Sequence, residues 1–297
     1  MKILVTGADG FVGGYVSAWP EAVPLVEHGQ RVDICDPTAL TRVIQNIRPH
    51  AVVHLAAQSF VPQSLHNPRE TFEINFFGTL NLLVALRESG FSGRFLYVGS
   101  GDMYGRVAVD AMPIYENYPL RPRNPYAVSK VAAEALCYQW SQSATFEIVM
   151  VRPFNHVGPR QSTQFVVAGL AQQIAEIKHA KRTPVVEVGN IDVTRDFTDV
   201  RDVVKAYRMV LERGHNGEVY NVCSGKERSI RSILDLLISI AGVEVQVRQD
   251  PNRLRSAEQE RVWGNYEKLH RDTGWNPEIP FEQTLRETLT YWQGETR

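Results

Sequence analysis

The opening stretch constrains this chain more than any later one. Lys2 to Thr6 is a short apolar run that passes directly into Gly7-Ala-Asp-Gly10-Phe-Val-Gly13. A buried strand that breaks into a glycine-rich turn and then a helix is the first unit of a parallel α/β sheet. Glycines at 7, 10 and 13 permit a tight turn, close backbone approach to a pyrophosphate, and close helix–strand packing. The spacing is G-x-x-G-x-x-G, one residue different from the G-x-G-x-x-G dinucleotide fingerprint. Directly after an N-terminal strand it favours dinucleotide binding, with Gly7, Gly10, Phe11, Val12 and Gly13 at the cofactor.

The next connection is short. Residues 22–27 read as a second strand, and Asp33-Ile34-Cys35-Asp36 as the end of a third, beside the adenine. Glu27 and Asp33 both compete for the acidic position that holds the adenosine ribose, and Arg31 suits a 2′-phosphate. NADPH and NADH are therefore both open on these residues. Residues 37–47 read as a helix. Ala51-Val-Val-His-Leu-Ala-Ala57 is a buried parallel strand, and the small residues after Leu55 leave room for a cofactor at Leu55, Ala56 and Ala57. His54 reads as a packed core histidine. Residues 72–87 have helical period, and the strand 94–98 delivers Gly99-Ser100-Gly101-Asp102 at its tip. Ligands bind outside the carboxyl ends of strands in such sheets, although a simple Ser/Gly turn is the competing reading.

Asn124-Pro125 is a strong helix start, and residues 127–140 carry the helix on. Tyr126 and Lys130 share one face of its first turn. A phenol ionises near pH ~10, and a nearby ammonium lowers that value. The pair is a candidate proton donor, though the same spacing also arises by chance on solvated faces.

Beyond it, strands are expected at 146–152, 185–188, 217–223 (returning to the main sheet) and 244–247. Helices are expected at 164–179, 199–212, 229–241, 268–274 and 281–292, with loops at 153–159 and 252–260. This alternation predicts an α/β fold, a doubly wound parallel (Rossmann) sheet from 1–155 and 192–224. Residues 156–191 and 225–297 would form a smaller mixed α/β substrate-binding lobe. The chain has 297 residues, 43% of them hydrophobic and 22% charged, and a net charge of -1, which gives no reason to expect a nucleic-acid or membrane partner. Three widely spaced cysteines read as reduced thiols and not as a metal site. No apolar run reaches the ~20 residues of a membrane helix, and the chain reads as core from its first residues, so a cytoplasmic protein is expected.

The glycine turn, the small residues after Leu55, Ser100 at a strand tip and Tyr126-x-x-x-Lys130 occur in this order. Together they resemble the extended short-chain dehydrogenase/reductase superfamily, over essentially the whole chain. The resemblance implies a catalytic triad of Ser100, Tyr126 and Lys130, and places Asn75 in the cofactor-side structural motif. It also implies a homodimer through the Tyr126 helix and its neighbour.

Arg152-Pro-Phe-Asn-His-Val-Gly-Pro159, Val188-Gly-Asn-Ile-Asp-Val-Thr-Arg-Asp-Phe197, Val219-Tyr-Asn-Val-Cys-Ser-Gly225 and Arg255-Ser-Ala-Glu258 resemble the members acting on GDP-6-deoxyhexoses. In these, the residues matching Asn155, Asn190, Arg195, Arg255 and Glu258 contact the GDP part. Arginines suit a diphosphate through bidentate hydrogen bonds. Surface ion pairs, Arg195–Asp196 and Arg255–Glu258, are the competing reading. Dehydratases of this group typically carry Thr, then Ser or Asp, then Glu, where this chain has Ser100-Gly101-Asp102. Elimination needs extra acid–base groups, and Gly101 offers none. The resemblance thus implies NADPH-dependent (alternatively NADH-dependent) reduction of the C4 ketone of GDP-4-dehydro-6-deoxy-D-mannose to GDP-D-rhamnose, with Ser100, Gly101 and Asp102 at the sugar. GDP-mannose 4,6-dehydration is the alternative, and a non-catalytic dinucleotide sensor on the same fold is another.

Overall fold

The computed structural model describes residues 1–253 and 259–296. Arg255 and Glu258 lie outside the described residues. Six parallel strands form the main sheet in the order Val219–Val222, Glu147–Pro153, Arg94–Val98, Ala51–His54, Ile3–Thr6, Ala22–Pro24. The strand order reverses beside Ile3–Thr6, so the tips of that strand and of Ala51–His54 flank the switch point where ligands bind.

These strands are apolar almost throughout because both faces are covered. Leu4, Val52, Phe95 and Ile148 lie in one register row. They pack under Leu40 and Ile44, Leu82 and Leu86, and Ala133 and Cys137, contributed by the helices Pro37–Ile47, Gly78–Glu88 and Pro125–Ser141. On the opposite face Ile3, Val53, Leu96 and Val149 meet the helix Val200–Arg213, together with Leu269 and Trp275. Each such side chain contributes about 1.5–3 kcal/mol by leaving water.

A second core lies among the helices Val166–Lys178, Ile230–Ala241 and Phe281–Glu295. Beside it the strand Thr194–Asp199 pairs in parallel with Asn155–Val157 and antiparallel with Glu227–Ser229. Val185–Val188 pairs with Gln246–Gln249.

The main sheet is closed at both sides. Ala22–Pro24 is only three residues long and ends in proline. On the other side Lys268 Nζ donates to the Val219 carbonyl (2.7 Å), and Asn221 N donates to Glu116 Oε1 (2.8 Å).

Five sequence expectations need correction. Residues 33–36 are not a strand. The Asp33 carboxylate accepts from Cys35 N (2.9 Å), and Asp36 caps the next helix by accepting from Thr38 N and Ala39 N (3.0 Å each). Such local side-chain bonds compete with a sheet ladder. The second strand expected at 22–27 joins the main sheet only as Ala22–Pro24, because Val26–Glu27 pairs antiparallel with Gln30–Arg31. The 153–159 loop contains the strand Asn155–Val157, and the segment after Gly189 enters the strand Thr194–Asp199. The latter is buried continuously from Asp196 to Asp199, so polar residues occupy core positions and mask the apolar period. Residues 72–87 are helical as expected, but Glu73–Phe77 is a π turn between Pro68–Phe72 and Gly78–Glu88. Among the described residues no helix is long and apolar enough to cross a membrane.

Candidate active site

The glycine turn sits at the tip of the first strand. Gly7 has φ +66°, and a Cβ there would lie 2.8 Å from Ala56 N. A Cβ on Gly13 would lie 2.0 Å from the Gly7 carbonyl oxygen. Both positions therefore admit only glycine, and the turn leaves a cradle of bare backbone that fits a dinucleotide pyrophosphate. Gly10 caps the helix Phe11–Val16 that begins the far side of this turn. The Thr6 hydroxyl accepts from Leu55 N (3.1 Å) and Ala56 N (3.0 Å), which joins the two strand tips.

Thr6 Oγ1 also meets His54 Nδ1 (2.8 Å), and His54 Nε2 meets Thr79 Oγ1 (2.9 Å). With both ring nitrogens engaged, His54 is a satisfied core histidine, as the sequence suggests. Burial, with the nearby Lys130 charge, lowers its pKa to about 3, so it is neutral. Thr79 Oγ1 donates to the Asn75 carbonyl (2.7 Å) inside the π turn. The Asn75 amide donates to Gln58 O (3.0 Å) and Ser129 Oγ (2.9 Å), and Gln58 N donates back to Asn75 Oδ1 (2.8 Å). Ser129 Oγ in turn donates to the Tyr126 carbonyl (2.7 Å). A continuous set of hydrogen bonds therefore runs from the glycine turn to the first turn of the Tyr126 helix.

That helix starts as its sequence dictates: Asn124 Oδ1 accepts from Ala127 N (2.8 Å), with Pro125 in the first turn. Tyr126 and Lys130 are both buried. Burial first and the Asp102 charge second push the Tyr126 phenol above its ordinary 10.0, while the nearby Ser100 hydroxyl draws it down. Lys130, expected to draw the phenol down, donates instead to the Val98 carbonyl (2.9 Å) and lies 5.3 Å from the Tyr97 ring centroid. Burial lowers its pKa from 10.5 to about 8. Ser100 caps the short turn Gly101–Tyr104 by accepting from Asp102 N (3.2 Å). A Cβ on Gly101 would lie 3.3 Å from the Phe154 ring.

On the adenosine side Glu27 is held by Arg42 through two short bonds, Nε (2.7 Å) and Nη2 (2.6 Å). Arg31, on the surface, meets Asp9 of the glycine turn at 3.3 Å. Asp33 is exposed and carries the Asx turn described above, and Ile34 is buried against Gly78.

On the distal side the pairing of Asn155–Val157 with Thr194–Asp199 places Asn155 opposite Phe197, and Asn155 Nδ2 donates to Asp196 O (3.4 Å). Arg195 Nη1 donates to Thr194 O (2.7 Å) and Gln259 O (2.8 Å). Asn190 is exposed and its side chain accepts from Asp192 N (3.1 Å). Asp196 is not a surface partner of Arg195. It is fully buried and accepts from Ser224 Oγ (2.6 Å), Ser224 N (2.7 Å), Gly225 N (2.9 Å) and Gly264 N (3.3 Å).

Sequence reasoning did not single out Asp196, Glu134, Arg152 or Tyr104 as members of buried polar networks. The available signal was a charged residue inside an otherwise apolar element, which must find a partner when buried.

Fold and site together define a Rossmann-like α/β protein with a serine hydroxyl and a buried phenol near one another beside its switch point. The family model for GDP-mannose 4,6 dehydratase matches residues 26–288. GDP-6-deoxy-D-mannose reductase of Pseudomonas aeruginosa PAO1 is 48% identical over 302 residues, covering 100% of this chain and 98% of that protein. The structure of RMD from Pseudomonas aeruginosa complexed with NADPH superposes with a TM-score of 0.93 at 46% identity, covering 99% of this chain and 100% of that one. GDP-mannose 4,6-dehydratase of Yersinia enterocolitica is 29% identical over 288 residues, 86% of this chain and 76% of that protein. The chain belongs to the GDP-mannose 4,6-dehydratase family, within the extended short-chain dehydrogenase/reductases.

Proposed function

We propose that this protein reduces the C4 ketone of GDP-4-dehydro-6-deoxy-D-mannose to give GDP-D-rhamnose, using NADPH. The observation that carries this reading is the buried Tyr126 phenol near the Ser100 hydroxyl beside the switch point, in a chain 48% identical over its full length to a GDP-6-deoxy-D-mannose reductase. The cofactor, when bound, supplies the hydride. Gly7, Gly10, Phe11, Val12 and Gly13 would hold its pyrophosphate side, Asp33 and Ile34 the adenine, and Leu55, Ala56 and Ala57 the passage between. Arg31 would meet the 2′-phosphate. Glu27, the other candidate beside Asp33 for the adenosine ribose, is already paired with Arg42.

Tyr126 protonates the developing C4 alkoxide, and Ser100 donates a hydrogen bond to the same oxygen. A phenol held well above neutrality keeps its proton until a stronger base forms beside it, and an alkoxide is such a base. Lys130, whose ammonium meets the Val98 carbonyl (2.9 Å), would hold the nicotinamide ribose. Gly101 and Asp102 lie against the sugar, and Asn155, Asn190, Arg195, Arg255 and Glu258 receive the GDP part. Residues 1–155 and 192–224, which include all six strands of the main sheet, would carry the cofactor, and 156–191 with 225–297 the nucleotide-sugar.

Tyr126→Phe removes the proton and leaves the fold. Turnover should fall by about 10²–10⁴ while cofactor affinity is kept, read by keto-sugar-dependent NADPH oxidation and by fluorescence titration. A Phe variant with full turnover would remove Tyr126 from its role.

The family model favours a second reading, 4,6-dehydration of GDP-mannose. Against it, position 101 has no acid–base side chain, and a Cβ there would already lie 3.3 Å from the Phe154 ring. Keto-sugar formed from GDP-mannose without added NADPH would favour the dehydratase. NADPH oxidation only when the keto-sugar is supplied would favour the reductase.

The protein is proposed to be cytoplasmic, in keeping with its three free cysteines, and to dimerise through the Tyr126 helix. Val128, Ala135 and Tyr138 form one exposed stripe on that helix, and Leu65 and Phe77 on neighbouring helices are also exposed. Light scattering of wild type and Tyr138→Glu tests this, with monomer expected for the variant.

A further inference from the structure

Ser100 and Tyr126 come from different elements, one a strand tip and the other a helix start. Lys130 ties the helix to the strand at Val98 (2.9 Å), two residues before Ser100, and the turn beyond is held separately. A buried guanidinium ties the two elements together. Arg152 lies near the end of the strand Glu147–Pro153, and its side chain is 6% exposed against 8% for its partner Glu134. Glu134 sits four residues beyond Lys130 and eight beyond Tyr126, on the same inward face of the helix. Its two oxygens accept from Arg152 Nε (2.9 Å) and Nη2 (2.5 Å). The remaining nitrogen, Nη1, donates to the Tyr104 hydroxyl (2.9 Å) and the Glu116 carbonyl (2.9 Å). Tyr104 closes the short turn that Ser100 caps, and its own hydroxyl donates to Asn221 Oδ1 (2.7 Å).

Stability is a weak account of this arrangement. A buried ion pair returns little beyond its desolvation cost, and an apolar replacement of similar volume is often neutral. Geometry is a stronger one, because a planar fork fixes direction on each of its sides. Its carboxylate side is rigid with the Tyr126 helix. The other side is rigid with the Ser100 turn.

We propose that Arg152 is a positioning residue, which sets the Ser100 hydroxyl against the Tyr126 phenol through Glu134 on one side and Tyr104 on the other. The proposal rests on the reading of Ser100 and Tyr126 given above. Removing the link lets the turn shift relative to the helix, and misplacement of about 1 Å costs on the order of 10²-fold in rate.

Two variants test it. Arg152→Met with Glu134→Leu removes both charges and leaves no lone buried ion. Tyr104→Phe deletes only one hydroxyl, and carries the test if the double variant does not fold. Each is measured with the keto-sugar and NADPH, alone and combined with Ser100→Ala. The expected result is a fall in kcat of about 10- to 100-fold for the double variant and about 10-fold for Tyr104→Phe, with NADPH affinity unchanged. In the Ser100→Ala background the same changes should cost little further, because the group they position is gone. Losses that multiply in full with Ser100→Ala would overturn the proposal, as would unchanged kcat in variants whose Ser100→Ala parent is impaired. A fully active Ser100→Ala enzyme would overturn the reading of Ser100 itself and take this proposal with it, which is a distinct outcome.

Discussion

Lys130 offers a test in which stability and activity move in opposite directions. Its ammonium is buried, with one hydrogen bond to the Val98 carbonyl (2.9 Å) and the Tyr97 ring beside it. Burial brings its pKa from 10.5 to about 8. At about 1.4 kcal/mol per pH unit, the buried charge costs the folded protein ~3 kcal/mol below pH 8. The unfolded chain keeps this proton up to its ordinary pKa, whereas the folded chain releases it near 8. Stability is therefore lowest below pH 8 and recovers as pH rises from 8 towards 10.5. Lys130→Met keeps the stem and removes the charge. It also leaves the Val98 carbonyl without that donor, at ~1–2 kcal/mol. The net expectation is a variant more stable by ~1–2 kcal/mol at about pH 6.5, less stable than wild type at about pH 10, and inactive. Urea denaturation of the cofactor-free proteins at both pH values reads this directly. A difference between the two proteins that does not change with pH would refute the reasoning, as would a variant less stable at the lower pH.

Other changes have equally definite expectations. Arg31→Ala should weaken NADPH binding by about 10- to 100-fold and leave NADH binding unaffected, since a charge-assisted bond to phosphate is worth ~1.5–3 kcal/mol. Fluorescence titration of both cofactors checks it, and equal losses would displace Arg31 from the 2′-phosphate. Gly7→Ala would put a side chain at φ +66° with its Cβ 2.8 Å from Ala56 N. It should cost at least ~1–2 kcal/mol and abolish cofactor binding, seen as a lowered thermal midpoint and a flat titration. Trp275→Ala removes a fully buried ring whose Nε1 donates to Asp202 O (2.9 Å). Chemical denaturation should show a loss of ~3–5 kcal/mol.

What the sequence made legible was local. The strand that breaks at Gly7, the capped start at Asn124-Pro125 and the apolar rows of the main sheet each depend on a few adjacent residues, and the structure has them where the pattern put them. The segment around Asp33 read wrongly because two acidic side chains bond their own backbone there, a short-range competition that apolar spacing does not register. Strand Thr194–Asp199 stayed hidden because Asp196, Thr198 and Asp199 are buried, so its pattern is polar where a core strand would be apolar. The Arg152–Glu134 pair spans 18 residues of sequence and the Tyr104–Asn221 bond 117. Neither has a local signature, because the partners meet only once the sheet is assembled. Ser100 and Tyr126 were legible as residues, while their closeness, and the turn of Lys130 towards Val98, are products of packing.

The sides of the main sheet have a consequence for how copies of this protein can meet. An open strand edge is a template on which another chain can add a strand, which is the usual start of edge-to-edge aggregation. Here one edge is three residues long and stops at Pro24, which has no amide hydrogen to give. At the other edge, Lys268 and Glu116 already occupy the Val219 carbonyl and the Asn221 amide. An incoming strand would have to displace a buffered charge at one edge and would find too little ladder at the other. Strand addition is thus disfavoured at both ends of the main sheet, so two copies of this protein are not expected to join through it.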